Sequence, residues 1–211
     1  MRENYITIKQ KGTNELTVSK SKFIAHCSRA SNEEDALVFI QKIKKEHASA
    51  THNCSAYLIG EHNQLQKAND DGEPSGTAGV PILEVLKKQG LQDVVVVITR
   101  YYGGIKLGAG GLVRAYGKAT TLGIAAAGVV ERRLHERIKV SVDYTLLGKL
   151  ENEIRNSSYI LHHINYTDHV EFIVDVDQTA IDFFTEWVTN VTIGQVKLTT
   201  EKKHFIDFEQ L

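Results

Sequence analysis

DVVVVITRYYGGIKLGAGGLVRAY, residues 93–116, reads as a strand, a glycine-rich loop and the opening of a helix. The apolar run that starts at Asp93 ends near Thr99, and five glycines then fall between Gly103 and Gly111. The pattern that follows, to about residue 127, is the strongest helical one in the chain. A strand that passes through such a loop into a helix brings backbone N–H groups to one exposed edge. Arg100, Tyr101, Tyr102, Lys106 and Arg114 surround that edge with positive charge and stacking surface. The segment is expected to face outward as a recognition surface.

Upstream, residues 5–10 and 16–28 read as strands. A helix over about 32–47 is opened by a capping box, Ser31 with Glu34, and carries Ala36, Phe39, Ile40 and Ile43 on one face. Two strands, 54–60 and 65–68, flank a polar turn, and NDDGEPSGTAG, residues 69–79, is turn chemistry throughout. A helix over 78–89 then has Pro81 in its first turn and Gly90 beyond its end. The helix after the glycine loop shows small residues every fourth position: Gly111, Ala115, Ala119, Gly123 and Ala127. That stripe is expected against a sheet, with Arg114 and Lys118 on another face.

Beyond Gly128 the order becomes strand 135–143, helix 146–157, strands 159–166 and 170–176, helix 178–190 and strand 194–208. This βαββαβ series is most simply a split-βαβ arrangement. The expected organisation is two domains, 1–132 and 133–211, in an α+β protein.

The 211 residues, 42% hydrophobic and 24% charged, are enough to bury a core. The start of the chain lacks a signal-peptide pattern, and no run reaches the about 20 apolar residues that span a bilayer. With only Cys27 and Cys54, a disulfide framework is not expected and a cytoplasmic location is. Net charge is −1, but residues 1–133 carry a net +5 and residues 134–211 a net −6. The basic half suits an anionic partner, whereas the acidic half is a poor nucleic-acid surface.

Asp70, Asp71 and Glu73 admit three readings: Mg²⁺ ligands, partners of Arg100 and Arg114, or turn and cap residues. Ser75 and Thr77 suit a cap for the following helix better than a nucleophile. His47, His52 and Cys54 lack the further ligands a zinc site needs, and Cys54 alternates with Ala56 and Leu58 like a buried thiol. His162 and His163 lie in a strand and point to opposite faces. No P-loop closes the glycine segment, and neither a metal nor a cofactor is expected.

Two motifs, DDGEPSGTAGVPIL (residues 70–83) and TRYYGGIKLGAGGLVRAY (99–116), closely resemble the IMPACT family and its bacterial YigZ-type members. SKFIA at 21–25 and THNCSAY at 51–57 match as well. The resemblance implies a two-layer α/β N-terminal domain with a left-handed βαβ crossover, like domain IV of elongation factor G. It implies a ferredoxin-like C-terminal domain similar to domain V of that factor. Eukaryotic relatives regulate translation under amino-acid starvation and carry a different accessory domain. A translation- or stress-linked binding role is therefore implied, without its exact partner.

The preferred reading is a non-enzymatic binding protein. Its face would comprise Arg100, Tyr101, Tyr102, Gly103, Gly104, Lys106, Gly108, Gly110, Gly111, Arg114 and Lys118. The partner would be RNA, the ribosome or a translation-associated protein, with no membrane involved. The competing reading is a hydrolase or transferase using His52, Asp70, Asp71 and Glu73 in a groove between the two loops, or a small-anion site there.

Overall fold

A computed structural model describes residues 4–209. Contacts divide the described residues into two units, Asn4–Arg132 with 207–209, and Arg133–Ile206. The architecture is α+β, with helices and antiparallel strands in both units.

In the first unit, β2 (Gly12–Val18), β3 (Ser21–Arg29), β4 (His52–Ile59), β5 (Leu65–Asn69) and β6 (Val94–Tyr101) form a sheet in the order β2-β3-β6-β4-β5. β1 (Tyr5–Ile8) instead pairs with the start of β7 (Val129–Val142). The strand expected over 16–28 is really a hairpin. Ser19 and Lys20 take left-handed φ values of 46° and 65° and turn the chain between β2 and β3. Such a turn normally advertises itself with Asn-Gly or Asp-Gly, and this one does not.

β6 is central and buried on both faces. Val94, Val96 and Ile98 pack with α2 (Gly79–Lys88) and α3 (Gly108–Ala127), while Val95 and Val97 pack with Ala36, Ile40 and Ile43 of α1 (Glu33–Glu46). Helices therefore cover both sides of the sheet, and the expected two layers are three. An unbroken apolar strand requires this, because alternate side chains leave on opposite faces.

α1 is capped one residue later than expected: Asn32 Oδ1 accepts the Asp35 N–H at 2.8 Å, and Asp35 Oδ2 in turn accepts the Ser31 N–H at 3.2 Å. Acidic residues in its first turn and lysines in its last complement the dipole. The small-residue stripe of α3 does lie on the sheet. A Cβ at Gly123 would stand 2.6 Å from Ala25 Cβ and 2.9 Å from Cys27 Sγ.

On the α1 side, His26 is buried with its ring 4.9 Å from that of His47. Burial first, then the His47 charge, pulls the His26 pKa down to about 4, against a weaker opposite pull from Glu46. A histidine held neutral in the fold stabilises fully above its unfolded pKa of about 6.5. That stability is lost as pH falls from there towards about 4. Denaturation at a series of pH values should show a smaller loss over that window in His26→Leu than in the wild type.

In the second unit the order is β7, α4 (Leu147–Arg155), β8 (Ile160–Tyr166), β9 (Val170–Asp177), α5 (Ile181–Val191) and β10 (Lys197–Glu209). β7 is flanked by β9 and β10, and β8 lies beyond β9. Leu150, Ile154, Phe184 and Val188 of the helices pack on Val140, Phe172 and Val174 of the strands. Arg137 donates from Nε and Nη2 to the two oxygens of Asp175, at 2.7 and 2.9 Å. Burial alone would raise that carboxyl, but Arg137 and His204 outweigh it and hold it below the usual range. Among the described residues no helix is long and apolar enough to cross a membrane.

Candidate functional site

Strand register builds the site. Across the middle of the sheet, Arg100 of β6 stands opposite Phe23 of β3 on one side and His52 of β4 on the other. All three side chains therefore share the face that carries α2 and α3. The Arg100 guanidinium lies 5.3 Å from the Phe23 ring centroid and 5.5 Å from that of Tyr102.

The acidic loop enters from above. Glu73 Oε1 accepts from Arg100 Nη1 at 2.6 Å and from the Tyr116 hydroxyl of α3 at 2.8 Å. The side chains of Arg100 and Glu73 are only 6% and 3% exposed, so this is a buried ion pair. Burial, reinforced by Cys54 and Glu73, pushes the Tyr116 hydroxyl far above its usual range and keeps it a neutral donor. Cys54 Sγ sits 3.3 Å from that hydroxyl, and burial pushes the thiol up to about 12. It is an inert core thiol rather than a nucleophile.

Above this network a cavity of about 490 Å³ opens, with Thr51, His52, Glu73 and Pro74 on one side and Tyr102, Lys106, Leu107, Gly108, Ala109 and Leu112 on the other. Arg100 forms part of its lining. His52 Nδ1 lies 2.8 Å from the Asp71 carbonyl oxygen. A carbonyl only accepts, so Nδ1 carries the proton, and Nε2 of the neutral ring is an acceptor. That nitrogen is 3.8 Å from Glu73 Oε2.

The two aspartates are engaged elsewhere, with backbone N–H groups and with Lys44. Asp70 Oδ1 accepts the N–H groups of Ala78 and Gly79, and Oδ2 that of Gly76. Burial opposes ionisation, but these three bonds outweigh it and lower the Asp70 pKa. The cap of α2 is thus Asp70, not Ser75 or Thr77. Thr77 donates its hydroxyl to the Pro74 carbonyl. Asp71 accepts from Lys44 Nζ and from the Asn53 N–H, both at 2.6 Å. Of the four residues grouped as acid/base candidates, the structure brings His52 and Glu73 together at the cavity and takes Asp70 and Asp71 away from it.

The expected basic face also separates. Arg100 is not an exposed cation but is buried and paired with Glu73. Tyr101, the next residue along the strand, points to the opposite face, where its hydroxyl meets His47 Nδ1 at 2.9 Å. Gly103 is packed against the β2–β3 turn, with its N–H on Ser21 Oγ at 3.1 Å. Tyr102, Gly104, Lys106, Gly108 and Gly110 remain exposed, and Gly111 is half-buried. Arg114 and Lys118 are exposed on α3. Arg114 lies about 200° and Lys118 about 240° around the helix from Leu112, and neither lines the cavity. The face is a cavity mouth plus a separate cationic stripe. Phe23, Thr51 and Tyr116 complete the site without having been singled out. Phe23 and Thr51 fall in matched motif segments, and Tyr116 ends the glycine motif.

Two family models match the chain: the Impact N-terminal domain over residues 19–124 and a domain of unknown function (DUF1949) over residues 140–195. The IMPACT family member YvyE of Bacillus subtilis (strain 168) is 56% identical over 195 residues, covering 92% of this chain and 90% of that protein. YigZ of Escherichia coli (strain K12), also named an IMPACT family member, is 34% identical over 151 residues, 67% of this chain and 74% of that protein. A crystal structure of a hypothetical protein aligns with a TM-score of 0.61 at 27% identity, covering 96% of this chain and 99% of that one.

Proposed function

The chain belongs to the IMPACT family, and from that premise we propose that it is a cytoplasmic, translation- or stress-linked protein that binds RNA, free or in the ribosome. The first unit is read as the left-handed βαβ fold shared with elongation factor G. The second is read as ferredoxin-like, supported by its βαββαβ order with β7 between β9 and β10.

The observation that carries the functional reading is the exposed run of Tyr102, Lys106, Arg114 and Lys118 along the loop and first turns of α3. Arg100, Tyr101, Gly103 and Tyr116 of the motif are committed to packing, whereas these four side chains put charge and a ring in solvent, beside the exposed Ile105 and Val113. Lysine and arginine neutralise phosphate, and a tyrosine ring stacks on a base irrespective of sequence. Binding also fits the cavity better than catalysis does. Among the described residues, no hydroxyl or thiol hydrogen-bonds to His52 Nε2, so that nitrogen has no nucleophile to activate.

Filter binding and ribosome co-sedimentation at several salt concentrations test this. Wild-type protein should bind single-stranded or ribosomal RNA with an affinity that falls as salt rises. The double variant Arg114→Glu, Lys118→Glu should lose at least about tenfold in affinity without a change in Tm, because both side chains are exposed. Wild-type protein that shows no salt-sensitive binding to either RNA or ribosomes would refute the reading.

A further inference from the structure

We propose that the cavity binds a ribonucleotide, holding its phosphate at the start of α3 and its free 2′- and 3′-hydroxyls at Glu73 and His52. The inference rests on the RNA-binding reading above and names the chemical unit that its cavity takes.

At one end, α3 begins with no side-chain cap and no acidic residue in its first turn. α2 is different, since Asp70 occupies its first amides. The leading N–H groups of a helix lack partners within it and carry partial positive charge, which suits a phosphate. Exposed Lys106 adds a full charge at the same mouth. Gly110 in this turn has no left-handed φ, and no atom lies within 4 Å of where its Cβ would stand. Packing therefore does not require glycine there. Its effect is to leave the backbone of the turn bare.

At the other end are two acceptors without donors. Glu73 Oε2, on a side chain only 3% exposed, accepts no hydrogen bond among the described residues, and His52 Nε2 stands 3.8 Å from it, beyond hydrogen-bonding range. With the His52 proton on Nδ1, facing the Asp71 carbonyl, the neutral ring presents Nε2 as an acceptor. Both residues line the cavity, so the two atoms can accept from a ligand there. A vicinal diol offers two hydroxyl donors, and a carboxylate that receives a ribose hydroxyl is a recurrent solution. The Arg100 guanidinium sits beneath the same region, its Nε without a partner.

Between the two ends, the half-exposed Tyr102 ring offers a stacking surface, and Pro74, Leu107 and Leu112 line the remainder. The volume of about 490 Å³ lies within the range of small-molecule sites.

A free diol occurs on a mononucleotide and on the last nucleotide of an RNA chain. Calorimetric titration of the full chain with AMP, 2′-deoxy-AMP, adenosine and a short RNA ending in 3′-hydroxyl or 3′-phosphate separates these sources. Binding by AMP or by the 3′-hydroxyl RNA is expected. Loss of the 2′-hydroxyl or of the phosphate should weaken AMP at least about tenfold, and a 3′-phosphate should do the same to the RNA. Ala109→Glu should abolish binding while the protein stays folded, because a carboxylate in the first turn complements the helix dipole and occupies the phosphate position. AMP binding alone identifies a free nucleotide as the ligand, RNA binding alone a chain end, and either upholds the proposal. It is overturned if neither binds, if 2′-deoxy-AMP matches AMP, or if Ala109→Glu binds like the wild type. RNA binding that ignores the 3′ end, with no AMP binding, overturns it and leaves the broader RNA reading standing.

Discussion

Glu73→Ala should destabilise the first unit by roughly 3–5 kcal/mol, read as a fall in the urea midpoint at pH 7. The reason is what remains. Arg100 is 5% exposed, stacked between Phe23 and Tyr102, and its short bond is to Glu73 Oε1. Its other contact, Nη2 to Ser21 Oγ, is long at 3.4 Å. With the carboxylate gone, a guanidinium that cannot lose its proton is left desolvated and unpaired. The Tyr116 hydroxyl loses its acceptor at the same time. Glu73→Gln, which keeps an acceptor for both groups and removes only the charge, should fall by less. A loss under about 1 kcal/mol for Glu73→Ala would mean that water reaches the pair, as it does at a surface bridge.

Gly103→Ala should be nearly as severe. A Cβ at this position would stand 2.0 Å from the Lys20 carbonyl carbon and 2.1 Å from its oxygen. These are backbone atoms in a turn already held at left-handed φ, so they cannot rotate aside as a side chain would. Overpacking of this kind costs about 1–3 kcal/mol, and a backbone clash belongs at the upper end. The glycine loop is docked on the β2–β3 turn through the Gly103 N–H and Ser21 Oγ. Displacing it should also shift Tyr102, whose N–H bonds to Thr51 Oγ1. Thermal melting and near-ultraviolet circular dichroism check the two effects. Unchanged values in both would show that the loop is not seated on the turn. Gly104→Ala is a contrast, since it meets no neighbour and bears only the strain of its φ of 84°.

Much of this fold can be read locally. The apolar run before the glycine loop marks β6, the four-residue spacing of small side chains marks the buried side of α3, and the later βαββαβ order follows from periodicity. The β2–β3 hairpin cannot be read that way, because Ser19 and Lys20 carry no turn signature for their left-handed conformation. The site is less legible. Arg100 follows Val96 and Ile98 at two-residue spacing, so alternation already directed it inward, against the expectation that a loop-flanking arginine is exposed. The same alternation sends Tyr101 to the α1 side. Glu73 sits in a stretch of turn residues and finds its partner 27 positions away, a pairing that no local pattern encodes. The α2 cap is non-local for the same reason, with Asp70 reaching amides eight and nine residues ahead.

Amide chemical-shift mapping with single-stranded RNA tests the binding account most directly. Perturbations should concentrate on Tyr102, Lys106, Ala109 and the outer stripe of α3 through Lys118, and should weaken as salt is added. Shifts gathered instead on α1 or in the second unit, or no shifts at any salt concentration, would contradict it.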